Sequence, residues 1–146
     1  MSHTQKKVVI CTITLHTLIL ALFLTCLACA FDQMPEESDF TGIWKGHTIQ
    51  GDIPVDLTVA VCPDNSSTVC YDFHYGAPKS CSLTAEKKKL EKSTLTLVIK
   101  ETSGGYCDKL WRGTIILKML DEKYIDVQIE DSKQGLQDVA KLEKQR

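Results

Sequence analysis

The chain holds little of what enzymes use. Four of its 146 residues are histidine, and only His47 and His74 lie beyond residue 30. Past that residue there is no C-x-x-C pair, no G-x-S-x-G elbow and no Gly-rich loop ending in Lys-Ser/Thr. Those absences remove the signatures of dithiol redox chemistry, serine hydrolysis and phosphate binding. Cysteine and histidine together give C-x7-C-x3-H-x6-C, from Cys62 to Cys81, without the close cysteine pair of a structural zinc site. No set of residues with nucleophile, base and stabiliser roles can be assembled, so a non-enzymatic protein without metal or cofactor is expected. A basic excess is also missing. The formal charge is −2, and it becomes −4 without Lys6 and Lys7. Such a balance makes nucleic acid and anionic membrane surfaces poor partners. The one basic run, Lys87-Lys88-Lys89, has no interleaved aromatics and is expected as a solvated hairpin tip.

What is present begins with export. Residues 8–30 form an uncharged apolar run behind Lys6 and Lys7, ending in Ala28-Cys29-Ala30. A basic start, an apolar stretch and a small-x-small end describe a signal peptide over residues 1–30. Two alternatives stay open. The run is long enough to serve as an uncleaved membrane anchor. Cys26-Leu27-Ala28-Cys29 also resembles a lipobox, with Cys29 as the lipidated residue. All three readings place the rest of the chain outside the cytoplasm, secreted, periplasmic or anchored by the N-terminal segment. Residues 31–39, FDQMPEESD, are expected as a flexible acidic lead, and residues 40–146 as the folded domain.

Within 40–146 the apolar period is two. Ile53, Val55, Leu57, Val59 and Val61 share one face of their segment, and Pro54, Asp56, Thr58 and Ala60 the other. Turn residues separate such runs. The pattern predicts an all-β fold of eight antiparallel strands, near 40–50, 53–62, 69–75, 80–86, 94–101, 110–120, 123–130 and 136–143. The last segment also suits a short helix through Leu136, Val139 and Leu142. Short loops favour an up-and-down meander, and closing it into a small barrel removes the edge strands. A two-residue turn at Gly51-Asp52 puts Trp44 beside Val59 on the inner face.

Four cysteines remain in the exported part, and an even number there reads as disulfides. Setting Cys62 opposite Cys70 turns Tyr71, Phe73 and Tyr75 to the same inner face as Val61, Val59 and Leu57. It leaves His74 outside with Asp72 and Thr58. In a meander, Cys81 and Cys107 lie at the other end, ~30 Å away along an extended strand. A disulfide needs Cα atoms within ~7 Å, so Cys62–Cys70 and Cys81–Cys107 is the pairing this topology allows. Asn65-Ser66-Ser67 adds a glycosylation sequon to the first loop.

The candidate binding residues are aromatic: Trp44, Tyr71, Tyr75, Tyr106 and Trp111. An eight-stranded barrel has room either for its own side chains or for one small ligand. Gly42-Ile43-Trp44 on the first strand resembles the G-x-W opening of calycin barrels, the lipocalin and avidin type. That resemblance implies a small antiparallel barrel with a binding mouth at one end. The expected function is therefore an exported binding module. Its partner would be a small apolar or amphipathic ligand, or a protein. Two alternatives are a hydrolase inhibitor, acting through a disulfide-held loop at 62–70 or 103–109, and a structural envelope lipoprotein.

Overall fold

A computed structural model describes residues 36–50, 52–63 and 70–146. The export segment with Cys29, the first five residues of the lead, Gly51 and the sequon at Asn65 lie outside the described residues. Eight strands follow in chain order: β1 (Gly42–Gln50), β2 (Ile53–Val61), β3 (Tyr71–Tyr75), β4 (Cys81–Glu91), β5 (Thr94–Thr102), β6 (Thr114–Met119), β7 (Tyr124–Asp131) and β8 (Gly135–Lys144). Each pairs antiparallel with the next, and β8 pairs with β1 to close the barrel. The register agrees with the inner-face expectation: Trp44 faces Val59, and Val61, Val59 and Leu57 face Tyr71, Phe73 and Tyr75. Both disulfides form as expected, with Cα separations of 5.1 Å for Cys62–Cys70 and 6.0 Å for Cys81–Cys107. They sit at opposite ends of the barrel.

The interior is filled. Trp44, Phe73, Tyr75, Leu97, Ile115 and Val127 have no accessible surface, so their own neighbours occupy the space around them. Residues 36–40 pack against the end of the barrel that carries Cys62–Cys70. Glu37–Phe40 forms a 3₁₀ turn, and Phe40 is fully buried. Its carbonyl accepts the Trp44 indole N–H at 2.7 Å. Glu37 accepts hydrogen bonds from the Tyr71 hydroxyl and the Lys87 ammonium. Glu37–Asp39 was expected in a flexible lead; burial of Phe40 and these bonds hold it to the barrel instead.

Two further expectations are corrected. Lys87-Lys88-Lys89 lies within β4, and the hairpin tip is Lys92-Ser93. Register shifts at Thr84/Ala85 and Lys87/Lys89 interrupt the alternation there, which hid the length of the strand. Residues 110–113 are not strand. A 3₁₀ turn runs over Gly105–Leu110, and β6 starts only at Thr114. Gly113 packs so closely on the Glu130 and Leu110 carbonyls that a Cβ would collide with them. The last segment is the expected strand and not the short helix, with Leu136 and Val139 exposed and Ala140 and Leu142 buried.

Candidate functional site

Asp52 and the turns at 76–80, 103–113 and 132–134 gather at one end of the barrel, and a buried carboxylate holds that end together. Asp138 points inward from β8, in phase with Ala140 and Leu142. Its Oδ1 accepts from the Lys79 ammonium at 2.7 Å and from the Thr48 hydroxyl at 3.1 Å. Its Oδ2 accepts from the Tyr75 hydroxyl at 2.8 Å and the Tyr106 hydroxyl at 2.7 Å. The Lys79 and Asp138 side chains are 2% and 3% exposed. Lys79 Nζ also lies 3.7 Å from the Tyr106 ring centroid and 4.6 Å from that of Tyr75. The two rings meet edge to face.

Each donor comes from a different part of the chain. Thr48 is on β1, Tyr75 ends β3, Lys79 is in the 76–80 turn, and Tyr106 is in the 3₁₀ turn. The carboxylate therefore ties two loops and two strands to β8. Burial alone would raise the Asp138 pKa; hydrogen bonds from Lys79, Tyr106 and Tyr75, with the Lys79 charge, outweigh it and hold it below its ordinary value of 3.8. The Tyr75 hydroxyl is pushed far above its ordinary value by burial and by the Asp138 charge. Tyr106 shifts the same way, through burial and its bond to Asp138. Both phenols thus stay protonated and remain donors. The cluster satisfies itself: no buried side-chain polar atom among the described residues lacks a partner. Chemically it is a lock on this end of the barrel.

The five aromatic candidates do not form one site. Trp44 and Tyr71 are buried at the opposite end, beside Phe40 and Glu37. Tyr75 and Tyr106 meet in the lock, and their polar tips are committed to Asp138. Trp111 lies outside, 48% exposed. Its indole N–H reaches the Lys100 carbonyl at 3.3 Å, and the Arg112 guanidinium lies 4.1 Å from its ring centroid. Beside it opens a surface cleft of about 480 Å³, lined by Glu101, Thr102, Asp108 and Trp111. Among the described residues no three His, Cys, Asp or Glu side chains gather as a metal site would require. No described helix is long and apolar enough to cross a membrane.

Thr48, Lys79 and Asp138 escaped sequence reasoning. One signal for Asp138 existed: counting back by two from Leu142 and Ala140 reaches it. Lys79 follows Pro78 in a turn, where a lysine reads as solvated. Comparison of the chain with protein families, with curated proteins and with solved structures finds no match.

Proposed function

We propose that this chain is an exported, non-enzymatic binding module that engages a protein partner at the locked end of the barrel. One observation carries the reading. Among the described residues seven large apolar side chains are exposed, and Ile49, Ile53, Trp111, Leu136 and Val139 all belong to that end. Clustered exposed apolar surface rimmed by polar residues marks an interaction site. Ile49 and Val139 come next after the Thr48–Ala140 pair on β1 and β8, and Ile53 opens the adjoining β2. Across the mouth stands Trp111, on a loop held by Cys81–Cys107 and by Tyr106 on Asp138.

Rigidity of this kind lowers the entropy lost on association. A small apolar ligand inside the barrel would need space that Tyr75, Leu97 and their neighbours fill, so the outer rim is the better-supported surface. The two disulfides fit an oxidising compartment outside the cytoplasm. The closed eight-stranded meander, with Gly42 and Trp44 on its first strand, is compatible with a calycin-type barrel. A hydrolase inhibitor acting through 103–109 would use the same loop, but residues 105–110 are coiled in a 3₁₀ turn and offer no extended segment; its other candidate loop, 62–70, lies largely outside the described residues.

The test is site-specific photo-crosslinking of the full chain in its host. A crosslinker at Lys109, beside the rim, should give a discrete adduct that excess wild-type protein abolishes and the Trp111→Ala variant does not. The same crosslinker at Lys88, exposed near the other end of β4, should give none. Equal labelling from both positions, or equal competition by both proteins, defeats the proposal.

A further inference from the structure

The cleft beside Trp111 has a chemistry of its own. Glu101 reaches it through a β-bulge: Ala85 pairs with Ile99 and Thr84 with Glu101, so Lys100 is the extra residue. The displaced Lys100 carbonyl is the group that accepts the Trp111 indole N–H. The bulge thus fixes the ring and the Glu101 carboxylate side by side. On the other wall, Asp108 accepts the Thr102 hydroxyl at 2.6 Å through Oδ1. Among the described residues Glu101 makes no ion pair, although Glu86 just across the strands pairs with Lys100 at 2.8 Å.

A cation already sits on the ring. The Arg112 guanidinium stacks on Trp111, yet among the described residues it pairs with no carboxylate. It satisfies the indole face and leaves the acidic wall unmatched. An aromatic face flanked by free carboxylate is the arrangement that recognises a basic side chain.

Resting on the reading of this end as a protein-binding surface, we infer that the cleft lined by Glu101, Thr102, Asp108 and Trp111 receives an arginine side chain of the partner. That side chain takes the place of Arg112 on the ring and pairs with Glu101. The planar guanidinium suits both contacts at once, stacking on the indole and forking to the carboxylate.

The probe is the peptide acetyl-Gly-Arg-Gly-amide, with its citrulline analogue as the uncharged control. Trp44 and Trp111 are the only tryptophans, so the folded protein shows two indole N–H signals by NMR. The arginine peptide should shift the Trp111 signal saturably and leave that of buried Trp44 in place. Citrulline, or the Glu101→Gln variant, should weaken binding about tenfold. Arg112→Gly vacates the ring and should tighten binding several-fold. The inference is overturned if the Trp111 signal does not move saturably, if both peptides act alike, or if Arg112→Gly weakens binding. A silent peptide together with a persisting Lys109 adduct removes the arginine subsite and leaves the wider reading standing. A responsive peptide without that adduct removes the wider reading alone.

Discussion

Asp138 occupies an inward position that the strand period reserves for apolar side chains, and its cost is offset by four donors. Removing one partner of a buried ion pair leaves the other charge stranded. Asp138→Asn should therefore destabilise the fold by about 3–5 kcal/mol, read from urea unfolding, because Lys79 stays buried. Replacing both, as Lys79→Met with Asp138→Leu, should cost less than Asp138→Asn alone. Acid provides an independent measurement. The folded pKa of Asp138 is depressed, so the ionised form favours the folded state. That contribution is complete above the unfolded pKa and is lost as pH falls through the folded one. Between about pH 5 and pH 2 the wild type should lose more stability than Asp138→Asn, each relative to its own value at pH 7. Equal losses would show that the carboxylate is not the group being titrated. The residue was hard to read from sequence because propensity and hydropathy both assign Gln137-Asp138 to a surface. Only the phase set by Ala140 and Leu142 speaks for burial.

At the scale of elements, the two-residue period gave the strands, their inner faces and both disulfides. Cys62 opposite Cys70 fixed the β2–β3 register, because one slip would have turned Tyr71, Phe73 and Tyr75 to solvent. Elements that break the period were not legible. The bulges in the β4–β5 pair concealed how far β4 runs, and residues 110–113 were expected in a strand that starts only at Thr114. There the chain leaves the 3₁₀ turn through a tight turn at 111–112, and Gly113 lets it pass close against β7. Its Cβ position is filled by the Glu130 carbonyl, and the Leu110 carbonyl lies 2.7 Å away. Backbone cannot yield as a side-chain tip does, so Gly113→Ala should cost about 1–3 kcal/mol in urea unfolding. Gly104→Ala provides a contrast, since nothing lies near its Cβ position and only its φ of +102° opposes the change. The loop's other restraint is Cys81–Cys107, which closes 26 residues. On chain entropy alone, Cys81→Ala with Cys107→Ala should lower stability by roughly 3–4 kcal/mol. It should also speed amide exchange at Ser103, whose N–H bonds to the Ser82 carbonyl at 2.9 Å. Unchanged exchange there would mean that Tyr106 on Asp138 holds the loop by itself.

Closure of β8 onto β1 decides how the whole molecule can bind. A barrel with every strand paired offers no free edge, so a partner cannot add a strand to it. A filled interior leaves no chamber beside Trp44, Phe73 or Tyr75. On the proposed reading, recognition falls to side chains on the outside, and the exposed apolar ones favour the locked end. The lock and the rim then have separate duties, since Asp138 fixes the loops while Ile53, Leu136 and Trp111 face outward from them. This separation predicts that rim substitutions affect association and not folding. Ile53 and Leu136 are 57% and 56% exposed, so Ile53→Ser with Leu136→Ser should change stability by no more than about 0.5 kcal/mol per site. The same double variant should fail to compete for the Lys109 crosslink, as Trp111→Ala fails from the other side of the mouth. If the double variant competes as well as wild type, the partner touches only the Trp111 side and the aliphatic corner has no part in binding. If it unfolds, Ile53 and Leu136 support the barrel and the rim is not a surface apart.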